Sequence, residues 1–205
     1  MNMRTMPNLI AQPLVGSRPR VFTRAEYYRM AELGFFSDQR VALIGGEIIE
    51  MAAQSNLHNL AIEFVKDALQ AAFGPNFWVR SQGSLDLSPL SVPDPDVAVV
   101  PGSKRSYIGQ RDNPVTALLV VEVSETTLWD DRNRKASLYA SAGITDYWIL
   151  NLQDIQLEIR RVARPDQTLE FGYGYASLST FVVGDVVTPL AAPSAQIAVA
   201  DLLPA

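Results

Sequence analysis

The run ALLVVEV, residues 117–123, decides the fold. Its apolar stretch from Ala117 to Val121 is unbroken, which suits a strand covered on both faces rather than one with a wet side. A strand of that kind needs helices packed against the sheet that holds it. Downstream, DDRNRKASLYASAG (130–143) reads as a helix capped by Asp130 or a neighbour and ending at Gly143, and YWIL (147–150) reads as a second buried strand. Upstream, SVPDPD (91–96) is a proline-stiffened approach to the strand Asp96-Val97-Ala98-Val99-Val100. These pieces predict a single α+β (α/β) domain, a mixed β-sheet flanked by helices.

Further from that centre the signals stay regular. Thr23 with Glu26 forms a capping box for a helix through Tyr27, Met30 and Leu33 that stops at Gly34. Gly45-Gly46 between VALI and EIIEM predicts a tight hairpin. Ser55 or Asn56 caps a long helix, with Leu57, Leu60, Ala61, Phe64, Ala68 and Ala72 at helical spacing and Gly74-Pro75 as its end. Residues 77–81 and 84–88 read as two short strands around Gly83. Ile155, Leu157 and Ile159, and later Leu169, Phe171, Tyr173 and Tyr175, alternate with polar or small residues, which predicts antiparallel strands toward the C-terminus. Residues 1–20, with Pro7, Pro13 and Pro19, read as a flexible tail ahead of a domain over 21–205.

Composition narrows the chemistry. With 48% hydrophobic residues in 205, the chain can bury a full core. It has no cysteine, which removes disulfides, thiolate metal sites and thiol nucleophiles, and one histidine, His58, which removes multi-histidine zinc sites. A serine triad would depend on His58, and no G-x-S-x-G elbow is present. The net charge of −5 argues against a protein that coats nucleic acid by charge alone, though not against a local cleft. The absence of a signal-peptide pattern and of any long apolar span predicts a cytoplasmic protein without membrane segments.

What remains is carboxylate chemistry. Burying Glu122 unpaired in a central strand would cost roughly 2–7 kcal/mol, so a cation, a metal ion or a raised pKa must compensate it. Asp96 stands at the start of a second apolar strand; if the two strands are neighbours, the pair can share a hard divalent cation, which takes oxygen ligands. Lys135, Leu138, Tyr139 and Ala142 share one helical stripe, so this lysine faces the sheet, with Arg132 one turn earlier on nearly the same stripe. An ordinary i, i+4 pair with Asp131 is the competing reading for Lys135. Lys66 and Lys104, the other two lysines, read as solvated charges. Glu47 reads as a hairpin charge, and His58 as an interior or helix-end residue along a stripe with Ile62, Val65 and Leu69.

GGEIIEM, His58 at a helix start, PDPDVAVV, LLVVEVSETT, DDRNRKASLYASAG and ITDYWILN occur in that order over about residues 20–200. Taken together they resemble the Uma-type family of restriction endonucleases, long catalogued as a domain of unknown function, a branch of the PD-(D/E)xK nuclease superfamily. The resemblance implies a restriction-endonuclease-like fold. It makes Pro95-Asp96 the PD element and Glu122 the second acid. The superfamily's lysine two residues after that acid is Ser124 here, and Lys135 in the following helix takes the family's lysine place. Glu47 corresponds to an added metal ligand and His58 to the family's helix-start histidine. Where family members often carry an acid before the hairpin and an Asp in its turn, this chain has Ala42 and Gly45.

The activity so implied is Mg²⁺- or Mn²⁺-dependent hydrolysis of phosphodiester bonds in DNA. Asp96, Glu122 and Glu47 would hold the metal, Lys135 would orient or activate water, and Arg132 and Arg134 would contact phosphates. One such centre cuts one strand, so double-strand cleavage favours a homodimer. The alternative is a catalytically inactive nuclease-fold module that binds nucleic acid or serves as a scaffold; the net negative charge and Ser124 favour it.

Overall fold

A computed structural model describes residues 18–204. Most of the expected tail, residues 1–17, lies outside the described residues, and 18–20 run exposed and irregular into the first helix. That helix, α1 (Arg24–Glu32), starts at the capping box, with Thr23 and Glu26 bonded reciprocally. Gly34 follows it at φ +82°. Strands β1 (Val41–Ile44) and β2 (Glu47–Glu50) pair antiparallel through Gly45-Gly46. Both glycines have positive φ, the conformation a two-residue hairpin of this hand demands.

The long helix α2 (Asn56–Phe73) is capped by Ser55, whose Oγ accepts the backbone N–H of His58. It buries His58, Ala61, Ile62, Val65, Leu69 and Phe73. The stripe expected from Leu57, Leu60 and Phe64 instead faces outward, these residues being more than 40% exposed. The helix carries two adjacent apolar stripes, and the sheet takes the one that holds the His58 set.

The main sheet has the order β3 (Trp78–Ser81), β4 (Val97–Val100), β5 (Leu119–Ser124), β6 (Asp146–Asn151), β7 (Gln156–Pro165) and β8 (Tyr173–Val182). Every neighbouring pair is antiparallel except β5–β6. A parallel pair needs a crossover, supplied here by α3 (Leu128–Asp130), a π-helical turn (Asp131–Lys135) and α4 (Ala136–Ser141), which run on without a break. One sheet face packs on α2 through Val97, Val99, Leu119, Val121 and Trp148. The other packs on the crossover helix through Ala98, Val120, Tyr139, Tyr147 and Ile149. Two short strands, β9 (Val186–Val187) and β10 (Ile197–Ala198), pair near the C-terminus.

Three expectations shift. Residues 84–88 form no strand: Leu85 and Asp86 donate to the carbonyls of Pro93 and Pro114, and proline has no N–H to complete a ladder. Strand β8 begins only at Tyr173, because Asp166 accepts from Thr168 and closes a turn that takes Leu169 and Phe171 out of the alternation. The crossover helix starts at Leu128, ahead of Asp130, with no side-chain cap at its first residue. Among the described residues, no helix is long and apolar enough to cross a membrane.

Candidate active site

Glu122 projects from β5 toward the crossover helix and is 2% exposed. Asp96 precedes the first β4 residue paired to β5, and Glu122 follows the last β5 residue so paired, so the two acids stand across adjacent strands. Both carboxylates are fully engaged. Asp96 Oδ2 accepts the backbone N–H of Val123 at 2.8 Å, while Oδ1 lies 3.2 Å from both His58 Nε2 and Gln54 Nε2. Gln54 is held in turn by Gln82, whose Nε2 donates to Gln54 Oε1 at 2.6 Å. Glu122 Oε1 accepts from the Tyr139 hydroxyl at 2.6 Å, and Oε2 lies 3.1 Å from Lys135 Nζ.

Lys135 is shared. Its ammonium also stands 2.7 Å from Asp131 Oδ1, and Asp131 is fully buried, its Oδ2 accepting from Thr127 Oγ1 at 2.6 Å. The i, i+4 pair and the reach toward Glu122 are therefore both present. The Glu122 carboxyl is pushed up to about 8, chiefly by burial, with Lys135 pulling it down and Asp96 and Asp131 adding to the rise. Burial alone would lower the Lys135 pKa, but Glu122 and Asp131 outweigh it and hold the ammonium charged. Burial, then Glu122, drives the Tyr139 hydroxyl well above its ordinary value, so it remains a donor.

The π-turn arranges this. Such a turn breaks the regular backbone ladder, and here two side chains from the sheet serve its carbonyls: the Tyr147 hydroxyl donates to the Asp131 carbonyl at 2.9 Å and Arg160 Nη1 to that of Arg132 at 3.0 Å. The turn thus sits pinned over β6 and β7, with Asp131 and Lys135 facing Glu122.

Asp96, Glu122, Lys135 and His58 all line one cavity of about 290 Å³, together with Glu50, Asp94 and Asp130. Glu47 and Arg132 do not reach it. The outer end of the hairpin places Glu47 2.5 Å from Arg134, and Glu170 holds the same guanidinium at 3.0 Å. Arg132 turns to β7, where its Nε lies 3.0 Å from the buried carboxylate of Glu158. Arg134 lines the cavity but is already bracketed by two glutamates. Reading by helical face gives a direction but not the partner a long side chain finds, and the β7 register that supplies Glu158 is invisible in sequence. Gln54, Tyr139, Glu50 and Asp94 were not read as site residues from the sequence, and Asp131 only as the i, i+4 partner of Lys135. Asp131 and Tyr139 carried a signal, since they flank Lys135 by four residues on either side.

Among the described residues, no three His, Asp or Glu side chains gather closely enough to hold a metal by themselves. The donor chemistry nevertheless fits a hard cation. Asp94 Oδ1 is buried at the cavity wall with no hydrogen-bond partner, Asp96 and Glu122 line the same cavity, and Glu122 and Asp131 flank the Lys135 ammonium. Mg²⁺ commonly binds through one or two carboxylates, completing its shell with water and substrate phosphate.

A family model described as "Uma2: Putative restriction endonuclease" matches residues 24–200. The chain belongs to the Uma2 family. A solved structure, described as "a putative nuclease belonging to DUF820" from Anabaena variabilis, is 12% identical with a TM-score of 0.64, covering 88% of this chain and 97% of that one. At that identity the likeness speaks for a shared fold of this Uma2 chain. No curated protein matches it.

Proposed function

We propose that this Uma2 protein is a divalent-metal-dependent endonuclease that hydrolyses phosphodiester bonds of DNA. One observation carries the reading: the Lys135 ammonium, delivered from a helix, stands 3.1 Å from a buried strand carboxylate inside a solvent-reached cavity that also holds Asp96. Asp96 and Glu122 are the two carboxylates that would hold Mg²⁺ or Mn²⁺. Such an ion, when bound, polarises a phosphoryl oxygen and lowers the pKa of bound water.

The chain's own residues do the rest. His58 and Gln54 fix one oxygen of Asp96 while the Val123 N–H fixes the other, so this carboxylate meets its ligand without reorganising. Tyr139 orients Glu122. Lys135, charged and aimed by Asp131, offsets the charge that develops on phosphorus and orients the attacking water. Glu47 and Arg132, tied to Arg134 and Glu158, have no part in this scheme. A centre of this size cuts one strand, and a homodimer would supply the second cut.

The test is cleavage of plasmid and oligonucleotide DNA with added Mg²⁺ or Mn²⁺. Activity is expected in the wild type and lost in Asp96→Ala, Glu122→Ala and Lys135→Ala. Cleavage that persists unchanged in all three variants overturns the assignment. No cleavage together with no metal-induced rise in unfolding temperature would leave a nuclease-fold binding module instead.

A further inference from the structure

Beside the acidic cavity lies a second, more open groove of about 510 Å³. The two are adjacent, with Asp130 and Arg134 lining both. Trp129, 74% exposed, forms one wall, and Leu169 and Glu170 from the turn before β8 form the other. The protein has three tryptophans. Trp148 is fully buried, and Trp78 is covered by Tyr107 and by the Arg80 guanidinium, 4.7 Å from the ring. Trp129 alone of these presents a bare indole face to solvent, and it does so one residue from a cavity-lining acid.

The free polar groups around that indole are acceptors, because the donors that line the groove, Arg134 and the Thr168 hydroxyl, are already committed to Glu47 and Glu170 and to Asp166. Glu47 and Glu170 each use a single carboxylate oxygen on Arg134, leaving the other oxygen free. Asn133 donates its amide N–H to the Trp129 carbonyl at 2.7 Å, so its Oδ1 remains an acceptor. With Asp130, three carboxylates face one guanidinium, which disfavours a phosphate in this groove. An aromatic platform rimmed by hydrogen-bond acceptors fits a flat, uncharged ring that carries N–H donors along one edge. Nucleobases meet this description, and guanine, with adjacent imino and amino donors, meets it best against a carboxylate.

We propose that the Trp129 groove is a base-binding subsite: an unpaired base, guanine preferred, stacks on Trp129 with its donor edge toward Glu170 and Glu47, while the backbone beside it enters the Asp96–Glu122 cavity. This deepens the nuclease reading and rests on it for what happens in that cavity. A stacked base must be unpaired, so the substrate is single-stranded or has a base turned out of the duplex.

The test is fluorescence titration of the full chain in EDTA with a short thymine oligonucleotide carrying a central guanine. Quenching of the exposed indole is expected. Trp129→Ala is expected to weaken binding, followed by anisotropy of the labelled oligonucleotide, by at least about fivefold, and Trp129→Phe to restore most of it. Hypoxanthine in place of guanine, which lacks the amino donor, and an abasic site are expected to weaken it progressively, and the fully paired duplex to bind worst. Equal affinity of wild type and Trp129→Ala, or no oligonucleotide binding at all, overturns the subsite. Metal-dependent cleavage that continues in Trp129→Ala with unchanged KM would sink the subsite but leave the nuclease reading standing. Base-dependent quenching without cleavage in Mg²⁺ or Mn²⁺ would do the reverse.

Discussion

Glu122 concentrates the chemistry in one side chain. Its carboxyl, ordinarily near 4.5, stands at about 8 because burial outweighs the pull of Lys135. The folded chain therefore holds this proton to higher pH than the unfolded chain does. Its contribution to stability is full below about 4.5 and is lost as pH rises through about 8. Thermal unfolding is expected to show a midpoint that falls over this window in the wild type, and a flatter profile in Glu122→Gln; parallel profiles would refute the burial argument. The divalent cation proposed above would compete for the same oxygens, so the rise in unfolding temperature on adding Mn²⁺ should be larger near about pH 9 than near about pH 6, and absent in Glu122→Gln. Asp96, Glu122 and Lys135 were legible in sequence because each breaks the pattern around it: acids in apolar strands, and a lysine on a buried helical stripe. Glu47 and Arg132 break no pattern, and only the register that brings Arg134 and Glu158 beside them reveals their ion pairs.

At the scale of elements, the π-turn over Asp131–Lys135 is what sequence periodicity could not supply. The stripe through Lys135, Leu138 and Tyr139 pointed the lysine toward the sheet, and Asp131, four residues before it, meets the same ammonium across the turn. Its support comes from the sheet, and Tyr147 is fully buried beneath it. Replacing Tyr147 by Phe keeps the ring and leaves the Asp131 carbonyl without its donor, so a loss of about 1–3 kcal/mol is expected in urea unfolding. A loss well under that range would mean the carbonyl finds another partner. Deleting the exposed Asn133 should convert the turn to regular α-helix and rotate the preceding residues by roughly 100° relative to Lys135. Such a chain is expected to fold, to lose metal-dependent cleavage, and to expose one more lysine to amine-reactive labelling. With only Lys66, Lys104 and Lys135 in the sequence, peptide mapping can assign that change. Retained cleavage with Lys135 still protected would show that the turn is incidental. Helix α2 teaches the same lesson differently: its two apolar stripes were equally readable, and the choice between them belonged to the sheet.

The whole molecule sets how a chain of net charge −5 meets a polyanion. Most cations near the cavity are already matched: Arg134 by Glu47 and Glu170, Arg132 by Glu158, and Arg40 by Asp94. A protein so arranged has few free charges with which to release counterions from DNA. If it neutralises about two phosphates, the slope of log affinity against log salt should be near about −2, shallow for a DNA-binding protein. A steep slope would require ion pairs to open on binding. The same economy bears on the number of cuts. The mixed sheet brings one Asp96–Glu122–Lys135 set together in one cavity, so under the proposed endonuclease function each chain would hydrolyse one strand at a time. Supercoiled plasmid should pass first to open circles at low protein concentration. Linear product is expected to rise with a higher power of protein concentration as two chains act on opposite strands, and sedimentation over the same range should detect the dimer. Linear product formed at once, at concentrations where sedimentation finds only monomer, would contradict the single-centre mechanism, because one such site cannot reach both strands of a duplex in one encounter.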